Sequence, residues 1–213
     1  MPIIIPYDEI EQNTDDWHTL RLGIPTSSGY SRILKINGER SGSWDGYITE
    51  LVTERISGQA NTFESWDMKL GHEQEPHARW LYSQMNQVEV VQVAFIYKDD
   101  TRRTGASTDG LIGDVGIFEA KGGKGETHFQ RLKDYNIDPE KFNKTFTNKH
   151  FQQLQGELYV AEREWVDLFA SFPGMRPIEI RVYRDEKWIS KLHESLSIFY
   201  EDLECAFEFA RAA

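Results

Sequence analysis

The 213-residue chain has a single cysteine, Cys205, and no apolar run near the ~20 residues that a bilayer-crossing helix requires. One cysteine excludes an internal disulfide and any cysteine-based zinc site. Helical spacing in "LECAFEFA" predicts that it faces the core. The six histidines are scattered, and His72 and His77 are five apart rather than the three or four that share a helix face, which argues against a zinc pair. "MPIIIPYDEI" lacks the basic segment, longer apolar stretch and small-residue cleavage site of a secretory signal, so an intracellular protein is expected. Positive charge is also in deficit: 24 Lys and Arg against 35 Asp and Glu leave a formal charge of -11. Taken alone, that balance argues against a polyanionic partner.

Hydrophobic residues make up 39% of the chain and aromatics 13%, without a long polar tract, so one folded domain over residues 1–213 with a sizeable core is expected. The charge is unevenly spread. Between Lys121 and Lys149 seven Lys/Arg meet four acids, whereas from Glu157 onward twelve acids meet seven bases. A local basic patch on an acidic body suits a protein that grips phosphate in one place and repels it elsewhere.

Periodicity predicts a helical entry over residues 14–37, broken at Pro25-Thr26. A helix over 43–59 follows from apolar Tyr47, Ile48, Leu51, Val52 and Ile56, closed by Gly58. Another over 66–85 places Ala78, Leu81, Tyr82 and Met85 on one side. The period then changes to two. Three successive strands, roughly 90–98, 103–109 and 115–121, form a predicted meander with turns at "KDDT" and "GLIGD". Residues 122–149 read as a Gly-rich, then charged connection, followed by a helix over 149–163, strands in "WVDLFASF" and "PIEIRVYRD", and a long amphipathic C-terminal helix. The order implies a mixed α/β layer with helices around a central sheet.

Within that frame "GIFEAKGG" stands out. In a strand, Glu119 and Lys121 leave the same face while Phe118 and Ala120 pack behind. Asp109, at the end of the preceding strand, comes to the same sheet edge. Two carboxylates suit Mg²⁺ or Mn²⁺, hard cations that keep several waters and take further oxygen from phosphate. A lysine beside them can hold an attacking water and offset charge developing on a phosphoryl oxygen. The same residues also fit a plain turn aspartate and a solvated Glu-Lys pair.

Together, "WHTLRLGIPTSS", "GHEQEPHARWLY", "GASTDGL", "FEAK" and "HFQQLQGELYVA" resemble, in order through residues 17–161, the phage lambda-type alkaline exonuclease family. That family belongs to the PD-(D/E)xK nuclease superfamily and is also known as YqaJ-like viral recombinase. The resemblance implies a restriction-endonuclease-like core with a central mixed sheet of about five strands flanked by helices. It implies that Asp109 and Glu119, with the backbone carbonyl of Ala120, hold Mg²⁺, with Mn²⁺ able to substitute, and that Lys121 is the catalytic lysine. Glu75 would support metal-bound waters from a neighbouring helix, its alternative being a solvated acid favourable to the helix N-terminus. Arg21 and Ser28 would bind the 5'-terminal phosphate of the digested strand, the alternative for Arg21 being an ion pair with Asp15 or Asp16. Of the "Q-x-Q" pair, Gln153 would face the site and Gln155 would pack elsewhere, because residues two apart diverge on a helix. Thr108 stands where the family often has proline, and His150 where an aromatic is frequent.

The implied activity is 5'-to-3' digestion of double-stranded DNA to 5'-mononucleotides, leaving 3' overhangs. A homotrimeric ring, a phage single-strand annealing protein as partner, and the cytoplasm of a bacterial host follow from the same resemblance. Two alternatives stay open: an endonuclease on the same core, and a catalytically silent DNA-end-binding module. The lack of a cysteine cluster counts against a Cas4-like variant.

Overall fold

The computed structural model describes residues 1–60 and 66–212, without the side chains of Asp67 and Met68. Strand β1 (Ile3–Pro6) leads to helix α1 (Asp15–Arg21), a 3₁₀ turn (Ser27–Arg32), α2 (Trp44–Ser57) and α3 (Trp66–Asn86). Strands β2 (Val93–Tyr97), β3 (Gly105–Ala106), β4 (Gly110–Ile112) and β5 (Gly116–Lys121) precede α4 (Gly125–Ile137) and α5 (Pro139–Ala161). Strands β6 (Trp165–Ala170) and β7 (Ile178–Tyr183) and helix α6 (Glu186–Ala212) complete the described chain.

The expected meander is divided between two sheets. Strands β1-β2-β3 form an antiparallel sheet, and β4-β5-β6-β7 form the central mixed one, with β5 and β6 parallel. Only two residues of the predicted strand 103–109 pair with β2, because the chain leaves that sheet after Ala106 to begin the β4-β5 hairpin. Val91 bridges to Leu111, which links the sheets and supplies a fifth, one-residue edge to the central one. The isoleucines of the N-terminus form β1 against β2.

Strand alternation separates two apolar layers. Ile117, Val166, Leu168 and Val182 face a large core shared with Leu154 and Leu158 of α5 and with Leu192 and Leu196 of α6. Phe118, Ala120 and Phe169 face Ala78 and Tyr82 of α3. The central sheet is thus covered on both faces, and its charged strand ends open at the rim.

Helix ends follow local chemistry. Gly58 closes α2 at φ 66°, the left-handed conformation a glycine adopts without penalty. The connection expected over 122–149 is instead helical. Asp138 accepts from the Lys141 amide at 3.0 Å, and Pro139 occupies the first turn of α5, a start signal that lay in "DPE". Cys205 is exposed rather than in the core. The buried stripe of α6 runs through Trp188, Ile189, Leu192, Leu196, Phe199 and Leu203, and a residue two beyond Leu203 turns away from it. Met85, at the end of α3, is likewise exposed.

Candidate active site

The register of the β4-β5 hairpin pairs Gly110 with Phe118, which puts Asp109 beside Glu119 and Ala120. Asp109 Oδ2 accepts from the Ala120 amide at 2.7 Å. In a strand the N–H and C=O of one residue leave by the same edge, so the Ala120 carbonyl is directed to the side on which Asp109 lies. Glu119 and Lys121 leave one face of β5, and Glu119 Oε1 accepts from Lys121 Nζ at 2.7 Å. Gln153, on α5 above the strand end, donates Nε2 to the same Glu119 oxygen at 2.6 Å, and its Oε1 lies 3.4 Å from Lys121 Nζ.

The strand end is fixed from two further helices. Gln74 of α3 accepts from the Gly123 amide at 2.8 Å and donates to its carbonyl at 3.1 Å. Arg131 of α4 donates to the Lys121 carbonyl at 2.9 Å, and Arg79 of α3 donates to the Asp109 carbonyl at 3.0 Å. Glu75, next to Gln74, lies with Oε1 4.0 Å from His72 Nε2.

Acids crowd this centre. Burial, then Glu119, then Glu75 push the Asp109 carboxyl well above the usual carboxylate range. Burial chiefly, then the charge of Glu119, raises Glu75 as well, with His72 acting against it. For Lys121 burial alone would lower the ammonium, but Glu119 and Asp109 outweigh it and raise its pKa, so the lysine is held charged. Glu119 Oε2 is buried without a hydrogen-bond partner. Among the described residues no three His, Cys, Asp or Glu side chains gather around one ion position. Two carboxylates, one with an orphaned oxygen, and a carbonyl directed to the same edge nevertheless fit a hard divalent cation that completes its shell with water and phosphate oxygen.

A second cluster lies across the same opening. Trp17 of α1 anchors through Nε1 to the Ala94 carbonyl at 2.9 Å, and the Arg21 guanidinium stacks 4.0 Å above its ring. Arg21 has no ion-pair partner among the described residues, Asp15 and Asp16 included. Burial lowers its pKa from the ordinary arginine value. Ser28, in the 3₁₀ turn, is exposed, with its hydroxyl 3.2 Å from that of Thr26. Arg21, Ser28, Glu75, Asp109, Glu119, Ala120, Lys121 and Gln153 all line one cavity of about 670 Å³.

Gln155 lies outside it, fully buried, bonded to the Tyr183 carbonyl and the Asp185 amide. His150 does not line it either; burial and neighbouring Lys121 hold its pKa down to about 3. Sequence reading passed over Ser107, which lines the cavity with its hydroxyl buried and unpartnered. Its place two residues before Asp109, on the same side of an extended chain, was the available signal. Gln74, Arg79 and Arg131 were missed too, because contacts between a helix and a distant strand end leave no spacing in the sequence.

No curated protein matches the chain by sequence. Among solved structures it is similar to LHK-Exo, an alkaline exonuclease from Laribacter hongkongensis, at 27% identity and a TM-score of 0.76 over 93% of this chain and 97% of that one. The same values hold for LHK-Exo in complex with dAMP. A phage-related exonuclease from Haemophilus somnus 129PT, at 12% identity and a TM-score of 0.67 over 88% of this chain and 96% of that one, shares the fold. The architecture is the expected restriction-endonuclease-like one, a mixed α/β core flanked by helices. A model of the YqaJ-like viral recombinase domain matches residues 16–164, well over half of the sequence. The chain belongs to the YqaJ-like viral recombinase domain family.

Proposed function

We propose that the protein is a divalent-metal-dependent exonuclease that digests double-stranded DNA from 5' ends, releases 5'-mononucleotides and leaves 3' overhangs for recombination by single-strand annealing. The observation that carries this reading is the single cavity shared by the acid-lysine centre and by Arg21 and Ser28. An arginine fork that has no ion-pair partner among the described residues, with the Ser28 and Ser107 hydroxyls in the same opening, suits a terminal phosphate and fixes the chain end. The nearby centre then meets the first phosphodiester rather than an internal one.

Asp109, Glu119 and the Ala120 carbonyl would hold Mg²⁺, or Mn²⁺ in its place. When bound, the cation supplies Lewis-acid polarisation of the phosphoryl oxygen and a more acidic water. Lys121, charged and 2.7 Å from Glu119, donates to oxygens of the scissile phosphate or of the attacking water. Gln153 keeps Glu119 and Lys121 together, and Glu75 accepts from water on the α3 side. The chain works as one domain in a homotrimer in the bacterial cytoplasm, with a phage single-strand annealing protein taking up the exposed strand. No described helix is long and apolar enough to cross a membrane.

The test is digestion of linear duplex DNA with Mg²⁺, comparing 5'-phosphate ends, 5'-hydroxyl ends and a covalently closed circle, with Glu119→Ala as control. Release of mononucleotides from phosphorylated ends, with the circle intact, supports the reading. Cutting of the circle would replace it with an endonuclease. Absence of cutting by the intact protein would leave a DNA-end-binding module.

A further inference from the structure

One buried acid of the centre lies within the stretch "HFQQLQGELYVA" but has no role assigned by the resemblance. Glu157 is on α5, one helical turn past Gln153, and is fully buried. Its Oε1 accepts from Gln153 Nε2 at 2.9 Å, and its Oε2 has no partner. A side-chain carboxamide has two N–H protons on one nitrogen and a single carbonyl oxygen. Here one proton goes to Glu119 at 2.6 Å, the other to Glu157, and the oxygen turns to Lys121. A buried acid with an orphaned oxygen is costly to a fold. Its side-chain partner among the described residues, Gln153, leads straight to the reacting groups.

We infer that Glu157 is a positioning residue that locks the Gln153 carboxamide with its nitrogen on Glu119 and its oxygen on Lys121. With the amide reversed, its oxygen would oppose two carboxyl groups and its nitrogen an ammonium, so Glu157 adds a second penalty against the wrong orientation. Without Glu157 the amide nitrogen keeps a single acceptor, Glu119, and the carboxamide is free to turn its oxygen away from Lys121. The Lys121 ammonium then loses a fixed acceptor, and its position relative to Glu119 loosens. The role assigned to Lys121 in this inference rests on the nuclease reading; the orientation of the amide does not.

The test uses the full chain with Glu157→Leu, Glu157→Met, Glu157→Gln, Gln153→Leu and the Glu157→Leu/Gln153→Leu pair. The side-chain amide signals of Gln153 are followed by NMR in protein labelled with ¹⁵N-glutamine, alongside kcat and KM on 5'-phosphorylated duplex DNA. Glu157→Leu or Glu157→Met is expected to lower kcat at least about tenfold, as small misplacements at a reacting centre do, with KM within about twofold. Glu157→Gln, which keeps an acceptor oxygen at the same reach, recovers most of that loss. In the Gln153→Leu background Glu157→Leu changes kcat by less than about twofold, because coupled residues are non-additive. The two Gln153 amide protons are shifted away from the two positions of a free glutamine amide in the intact protein and in Glu157→Gln, and move toward those positions in whichever apolar variant folds. Additive losses in kcat, or amide signals that the apolar variants leave unchanged, would overturn the inference. If the intact protein digests no DNA, the nuclease reading fails, and the amide spectra still decide the orientation.

Discussion

Gly156 offers a direct test of how the two halves of the cavity are held in register. It lies on α5 three residues past Gln153, where the helix passes the 3₁₀ turn that bears Ser28. A Cβ at this position would sit 2.4 Å from Tyr30 Cδ2, 2.8 Å from its Cε2 and 3.1 Å from Ser27 Cβ. Tyr30 has no room to yield: it is fully buried, and its hydroxyl is bonded to Thr104 at 2.7 Å. Gly46 in α2 is the control, since a Cβ there meets nothing within 4 Å. Alanine gains about 1 kcal/mol over glycine in a helix interior at either site. At Gly156 overpacking takes back about 1–3 kcal/mol. Gly46→Ala should therefore raise Tm by roughly 2–4 °C, and Gly156→Ala should fall below it by roughly 2–12 °C in a chain of this size. The displaced 3₁₀ turn also carries Ser28 away from Arg21, so KM for 5'-phosphorylated ends should rise more than kcat falls. Thermal unfolding and initial rates on linear duplex DNA read both effects. Equal stabilisation by the two alanines would show that the contact is not tight. A stability loss with KM unchanged would separate the packing from end recognition.

Lys121→Ala should lower kcat by about 10²–10³-fold, the usual loss of one positioned charge donor, while DNA-end binding measured in a gel shift persists; an unchanged rate would remove the lysine from the mechanism. Arg21→Ala removes charged hydrogen bonds worth about 1.5–3 kcal/mol, so the preference for 5'-phosphate over 5'-hydroxyl ends should shrink by roughly one to two orders of magnitude. Asp109→Asn keeps the acceptor for the Ala120 amide and removes one of the crowded carboxylates. It should raise Tm of the protein in chelator while abolishing the stabilisation that Mg²⁺ gives the parent, about 2.7 kcal/mol at a hundred times Kd. Asp167 of β6, opposite Phe118 in the β5-β6 register, is fully buried and accepts two hydrogen bonds from Arg181 at 2.8 and 2.7 Å and one from Tyr82. Asp167→Asn should cost about 2 kcal/mol, seen as a Tm drop of roughly 4–8 °C with kcat unaltered.

How much was legible depended on whether the signal was local. The helix ending at Gly58 was readable, because apolar spacing and a left-handed cap are properties of adjacent residues. The strand bearing Glu119 and Lys121 was readable for the same reason, and its alternation correctly separates Phe118 and Ala120 from the charged face. Division of the strands into two sheets was not readable, since residues 107–109 carry no mark of which sheet they serve; the pairing of Gly110 with Phe118 decides it. Helix α4 and residues 139–148 of α5 were obscured by polar faces, and the Asp138-Pro139 start was overlooked, whereas the rest of α5 was readable as the helix expected over 149–163. The site divides along the same line. Asp109, Glu119, Lys121 and Gln153 could be found as motif positions, whereas Gln74 on Gly123, Arg131 on the Lys121 carbonyl and Glu157 behind Gln153 exist only once the helices are packed.

The charge of the cavity gives the metal a second task on the proposed function. Its lining carries the carboxylates of Glu50, Glu54, Glu75, Asp109 and Glu119 against the cations of Arg21, Arg32 and Lys121. Arg32 is already committed to Glu50 at 2.9 Å, and Lys121 to Glu119. What remains toward the substrate is Arg21 at one end and, at the other, the crowded carboxyls of Asp109 and Glu75, whose burial and mutual repulsion hold their pKa values up. Such a lining attracts a phosphate at the terminal-phosphate end and leaves no free cation to attract one at the catalytic end, among the described residues. On the proposed function a divalent cation would do more than activate a water: it would hold Asp109 and Glu119 as carboxylates and supply the positive charge that the scissile phosphate meets. An acidic chain can act on DNA by this division of labour. On that reading Arg21 would select the end, and the bond beyond it would become approachable only with the cation in place.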